Sequence, residues 1–177
     1  TAQVQIEELL KALEQTDDMQ FIITKANADV GGKMINECID RHVRNSKNCV
    51  AFYSLGIKRY LSLLKYSKFV IGNSSSGIIE APTFGVPTVN IGDRQKGRLQ
   101  ADNVINCNPV CKEIVDAMRL ARSRSFQEKA KHTKNPYGDG ETSVKIVEEI
   151  KKYLEQKVTA EKHFYDIDFD EKQEGRE

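Results

Sequence analysis

Short β-branched runs alternate with amphipathic stretches along this chain, and that alternation leaves few folds open. Residues 21–23, 48–52, 68–71, 88–91 and 104–105 read as strands, the first being Phe21-Ile22-Ile23. Between them, residues 3–15, 32–44 and 57–66 carry apolar side chains at helical spacing, with Val4, Ile6, Leu9, Leu10 and Leu13 on one face of the first. Residues 77–83 read as a short helix that ends at Gly85-Val86-Pro87. Residues 110–122 and 142–156 read as two longer helices, separated by the turn-rich segment 135–140. Strands separated by helices of about ten residues imply βαβ units and a parallel sheet. The right-handed crossover rule turns such units into an α/β, doubly wound, Rossmann-like sheet with helices on both faces. In that arrangement the strand at 21–23 is expected to be buried on both faces. The chain opens on a helix, whereas a doubly wound unit begins on a strand. It is therefore expected to be a fragment of a longer protein, cut just after a strand.

Composition narrows the function classes. The 177 residues predict one domain, expected over 1–156, with 157–177 as an acidic and aromatic tail. Seven of the 19 residues from 159 onward are Asp or Glu, and Tyr165, Ile167 and Phe169 alternate with aspartates. Together with Phe164 they suggest a segment that docks on another domain or subunit. The 27 Lys and Arg against 26 Asp and Glu leave a formal charge of +1, which disfavours a strongly basic nucleic-acid binder. No apolar run approaches the roughly 20 residues that span a bilayer, and the first residues have no signal-peptide character. The four cysteines, at 38, 49, 107 and 111, are then read as reduced thiols of a cytoplasmic protein.

Ligands of open parallel sheets bind beyond the carboxyl ends of the strands. After the third strand stands Gly72-Asn73-Ser74-Ser75-Ser76-Gly77. Small residues admit an anion close to the backbone, and three hydroxyls and the N–H groups of a helix start can donate to it. The same residues also suit plain helix capping. Glu80 lies one turn further on, where a carboxylate can accept from a ribose diol or merely complement a helix start. After the fourth strand come Arg94, Lys96 and Arg98 between two glycines, and Arg94 can meet a phosphate as a planar fork. No Walker spacing and no Gly-x-Gly-x-x-Gly fingerprint is present. Cys38, His42, Cys107 and Cys111 form only a weak zinc pattern, so no metal and no cofactor is expected. No nucleophile–base pair and no acid–base carboxylate pair stands out.

The run from Gly72 through Arg98 closely resembles the signature of UDP-N-acetylglucosamine 2-epimerases, in the hydrolysing branch that feeds sialic-acid-type sugars. The likeness extends over about residues 1–156 and includes Tyr137-Gly138-Asp139-Gly140. Non-hydrolysing relatives show Asp-Ser-Gly-Gly and paired glutamates where this chain has Gly72-Asn73-Ser74-Ser75. The resemblance implies the C-terminal, UDP-binding half of a two-domain enzyme of glycosyltransferase-B-like architecture. It also implies a reaction: elimination of UDP from UDP-N-acetylglucosamine, then water addition to give N-acetylmannosamine. Residue by residue, it implies that Ser74 and Ser75 hold the diphosphate, Glu80 the ribose and Arg94 the phosphate charge. Asn27 and the backbone at Leu55 would line the nucleoside end. The proton-moving carboxylates would belong to an N-terminal domain, leaving no catalytic residue here and an inactive fragment. The implied partners are a UDP-sugar, that N-terminal domain and a further copy of the chain. Two other readings stay open: a UDP-sugar glycosyltransferase domain, and a non-catalytic nucleotide-sugar binding module.

Overall fold

The computed structural model describes residues 1–27 and 30–156. In chain order the elements are α1 (Ala2–Glu14), β1 (Phe21–Thr24), α2 (Gly32–Asn45), β2 (Cys49–Phe52), α3 (Gly56–Tyr66), β3 (Val70–Gly72) and α4 (Ser76–Ile79). A 3-10 helix (Ala81–Phe84), β4 (Thr88–Ile91), β5 (Val104–Cys107), α5 (Cys111–Arg122), α6 (Arg124–Lys131) and α7 (Thr142–Glu155) follow. Two compact units divide between Asp139 and Gly140. The first holds everything through α6. The second contains α7, none of whose residues is buried. The expected docking segment 164–169 lies outside the described residues.

Every strand pairing is parallel, as the βαβ alternation requires. The hydrogen bonds divide into two ladders, β1–β2 and β3–β4–β5. Thus the expected layer is present, but among the described residues one continuous ladder is not. In the first ladder Phe21 N–H donates to Asn48 O at 2.7 Å and Lys25 N–H to Phe52 O at 2.9 Å. Alternation in a parallel strand then turns the N–H groups of Ile22 and Thr24 away from β2.

Helix α1 packs against both α2 and α5 and so draws the two ladders into one core. Leu10 and Leu13 from α1, Phe21, Cys49, Phe69, Val89, Ile114 and Met118 form that core. Strand β4 is buried at all four positions, Thr88 to Ile91. Strand β1 departs from the expected two-sided burial: Phe21 is buried while Ile22 is 45% exposed. The core, including α1 residues, packs on the Phe21 face, and Ile22 and its ladder partner Val50 face away from it. In α3 only Leu64 is buried, and Ile57, whose spacing suggested an inward position, is exposed.

Helix α6 is the element that periodicity misses, because its eight residues include a single buried one, Ala130. Its start is set locally by Ser123, whose hydroxyl accepts from Phe126 N–H. The expected helix 77–83 is instead one α turn followed by a 3-10 turn. Pro82, lacking an N–H, tightens the path there.

Candidate functional site

The loops of interest all follow strand ends. After β3 the chain runs through Asn73, Ser74 and Ser75 into α4. Because α4 has only four residues, its dipole contributes little, and anion affinity must come from local donors. Ser74 is exposed and Ser75 half-buried, and neither side chain caps the helix by the usual bond. Ser74 Oγ accepts from Ser76 N–H at 3.4 Å. Ser76 is engaged from the other side by the Tyr60 hydroxyl of α3. That contact ties the helix that begins after Leu55 to the serine loop. Helical spacing puts Tyr60 on the inward face of this helix, but its bond to Ser76 is not visible in a sequence pattern, because it follows from the α3 crossover.

Gly77 is required by close approach. A Cβ there would stand 2.6 Å from Thr88 Cγ2. The absence of that carbon lets Thr88 Oγ1 donate to Gly77 O at 2.7 Å, pinning α4 onto β4. Asn135 adds a second clamp: its Nδ2 donates to Ile79 O at 2.9 Å and to Thr83 Oγ1 at 2.7 Å. The 135–138 turn thereby stays on the glutamate-bearing turn, and the Tyr137 hydroxyl reaches Leu99 O at 2.9 Å.

Glu80 is half-buried, and its Oε2 is buried with no hydrogen-bond partner. A carboxylate oxygen withdrawn from water and left without a donor is costly unless something else supplies one.

The loop after β4 carries Asp93, Arg94, Lys96 and Arg98, all exposed. Among the described residues none of the three cations has an ion-pair partner. Gln95, between them, is 3% exposed and donates from Nε2 to Asn73 O at 2.8 Å. This buried amide joins the basic loop to the serine loop. Sequence reasoning passed over Gln95 because an amide among three cations looks like a solvated position.

Asn27 and Leu55 follow β1 and β2. Asn27 is exposed, and its backbone O lies 2.0 Å from where a Gly32 Cβ would be, so only glycine lets the loop cross the start of α2. The loop is held by Asn36, which accepts from Ala26 N–H at 2.8 Å and donates to Ala26 O at 3.0 Å. Lys25 is no free cation for a ligand. Its Nζ lies 2.6 Å from Asp40 and 4.2 Å from the Tyr53 ring centroid, and the Asp40 hydrogen bond raises its pKa above the ordinary lysine value. Leu55 is half-buried at the N-cap of α3. The Tyr60–Ser76 contact links it to the serine loop, whereas among the described residues no hydrogen bond brings Asn27 there.

The four-residue metal pattern does not assemble: among the described residues no three His, Cys, Asp or Glu side chains form a metal-holding group. His42 instead lies buried with Nδ1 3.2 Å from Glu14 and Nε2 3.4 Å from Cys49 Sγ. All four cysteines are free. No helix among the described residues is long and apolar enough to cross a membrane.

A parallel α/β layer with hydroxyls, an orphaned carboxylate and unpaired cations at its strand ends defines a class: nucleotide-binding folds with the ligand at the carboxyl edge. The chain belongs to the UDP-N-acetylglucosamine 2-epimerase family, whose pattern matches residues 1–151. It is 43% identical over 127 residues to the GDP/UDP-N,N'-diacetylbacillosamine 2-epimerase (hydrolyzing) of Campylobacter jejuni, covering 71% of this chain and 33% of that protein. It is 36% identical over 158 residues to the UDP-N-acetylglucosamine 2-epimerase of Neisseria meningitidis serogroup B, covering 89% of this chain and 41% of that protein. Among solved structures, the UDP co-structure of S. aureus MnaA superimposes with a TM-score of 0.71 at 20% identity, over 85% of this chain and 41% of that one. The fold is thus shared with part of these larger proteins. The chain spans about a third to two-fifths of the length of the curated relatives it matches.

Proposed function

We propose that this chain is the UDP-binding part of a hydrolysing UDP-sugar 2-epimerase acting on an N-acylated amino sugar. The family membership and the hydrolysing relatives support the reaction class. The observation that carries the assignment is the Gln95–Asn73 bond, which ties the loop bearing Arg94 to the loop bearing Ser74 and Ser75. Such an arrangement meets a diphosphate with hydroxyl donors on one side and a planar cation on the other. Glu80, with an unpartnered oxygen, suits a ribose diol, which offers two donors. Asn27 and the Leu55 backbone complete the nucleoside end in this reading.

Breaking the sugar C1–O bond sends its electron pair onto the β-phosphate. A proton leaves C2 of the hexose and a glycal forms. Water then adds across that double bond to give the 2-epimer and free UDP. The part of this chain in that sequence is leaving-group stabilisation: donors aimed at phosphate oxygens whose charge grows as the bond breaks. The carboxylates that move the C2 proton stand, in this proposal, on the remainder of the enzyme, so the chain alone does not turn over. Because diacetylbacillosamine enzymes are among the relatives, the hexose is stated as an N-acylated amino sugar and not as one compound.

The test is UDP binding to the complete natural polypeptide by calorimetry. Glu80→Ala is expected to weaken UDP by about 1–3 kcal/mol, the worth of hydrogen bonds to a charged group. An unchanged affinity in Glu80→Ala, or no UDP binding by the parent protein, refutes the reading.

A further inference from the structure

The peptide plane that carries Glu80 is held at both of its polar ends. Glu80 N–H donates to Ser76 O at 2.9 Å, which closes the single turn of α4. The carbonyl of the same plane, Ile79 O, lies where a helix would continue, yet it has no helical donor. Pro82, three residues on, carries no N–H, and Thr83 N–H, four residues on, is given to Glu80 O at 3.1 Å. The donor comes instead from 56 residues further along the chain: Asn135 Nδ2 reaches Ile79 O at 2.9 Å. The same nitrogen donates to Thr83 Oγ1 at 2.7 Å, so both of its N–H groups are spent. Asn135 Oδ1 accepts from Tyr137 N–H at 2.9 Å. The amide is thereby fixed in direction, with its donors on the glutamate-bearing turn and its acceptor on its own turn.

We infer that Asn135 is a positioning residue of the UDP site: by holding Ile79 O it aims the Glu80 carboxylate before the ligand arrives. The inference rests on the UDP-binding reading above and adds to it the residue that sets the direction of Glu80. The physical reason is preorganisation. The orientation of the preceding peptide decides where the Glu80 side chain leaves the backbone. Glu80 Oε2 is buried without a donor, so a free turn would gain by tilting that oxygen back toward water. A four-residue helix has little stiffness of its own to resist the tilt. Ser76 O at one end of the peptide and Asn135 at the other resist it instead. The carboxylate is kept in place for two hydroxyl donors, and the cost of ordering it does not fall on binding. Asn135 itself contacts no ligand in this scheme, because both of its N–H groups and its oxygen are already engaged within the protein. It acts through Glu80, and that dependence separates it from a residue that merely supports the fold.

The experiment is a double-mutant cycle on the complete natural polypeptide, with UDP affinity read by calorimetry. Asn135→Ala removes all three bonds of the amide. Asn135→Asp keeps an oxygen for Tyr137 N–H and removes only the two donors. Each is made in the parent and in Glu80→Ala. The expected result is a loss of about fivefold in UDP affinity for either variant in the parent, and of less than about twofold when Glu80 is already alanine. A loss of the same size in both backgrounds would mean that Asn135 supports the fold at large, and it overturns the inference. So does parent-like affinity in Asn135→Asp, which would show that the donated bonds do not matter. If Asn135→Ala does not fold, Asn135→Asp decides by the same cycle. No UDP binding by the parent, or an unchanged affinity in Glu80→Ala alone, overturns the underlying reading and takes the inference with it.

Discussion

Gly77→Ala tests how α4 is seated. The new Cβ would lie 2.6 Å from Thr88 Cγ2, against 3.7 Å from Thr88 Oγ1 and 3.8 Å from Thr88 Cβ. Carbon atoms rest about 3.5–4.0 Å apart, so the methyl is the single offender and must move by about 1 Å. Thr88 is 2% exposed and sits mid-sheet, between β3 and β5, so it has nowhere to retreat. Overpacking of this kind costs about 1–3 kcal/mol. Replacing glycine in a helical turn returns about 0.4–1 kcal/mol through the unfolded chain. A net destabilisation of about 1–2 kcal/mol is expected from urea unfolding. Thr88→Ser deletes the offending methyl, keeps the hydroxyl that bonds Gly77 O, and alone should cost about 1 kcal/mol. The double variant should then be more stable than Gly77→Ala, with a coupling of about 2 kcal/mol. Strict additivity of the two single changes would show that the methyl is not what excludes a side chain at 77.

Gln95→Leu removes the tether to Asn73 O and should weaken UDP binding by about 1 kcal/mol, read by calorimetry, while the α-helical signal stays unchanged. The Cys107 thiol is pushed up to about 11 from 9.0, first by burial and then by the Glu113 charge, so it stays protonated through neutral pH. Its alkylation should be slow at pH 8 and faster in Glu113→Gln. Since the folded protein holds this proton more tightly than the unfolded chain, the associated stability is intact below about pH 9 and lost toward pH 11, which pH-dependent unfolding measures. Hydrogen exchange of the 177-residue chain should find the amides of Ile22 and Thr24, which point away from β2, faster than that of Ile23, which points toward it. Equal protection at these three positions would mean that something pairs with the outer edge of β1.

The sequence by itself determined the class of fold and the address of the candidate site. Apolar runs of strand length, separated by helical periods, admit little besides a parallel α/β layer, and Gly72 to Arg98 is dense enough in special residues to be read as a ligand loop. Ser74, Ser75, Glu80 and Arg94 stand out as candidates because hydroxyls, carboxylates and guanidinium groups advertise their chemistry wherever they stand. Tertiary structure decided what those residues share. Gln95 reads as a polar loop residue until the fold buries it against Asn73 O, and Asn90 reads as a polar interruption of a strand until Asn106, itself clasped by Gln100, accepts from its amide. Lys25 stands in a polar loop after a strand, and only the fold, by bringing Asp40 of α2 to it, decides that its charge is already paired. Ile22 looked like a two-sided core residue, but the core helices pack on the other face of β1. Local patterning fixes periods and propensities, which depend on neighbours along the chain. Whether a polar atom is left with a partner or without one depends on neighbours across it, and those are chosen only when the strands pair.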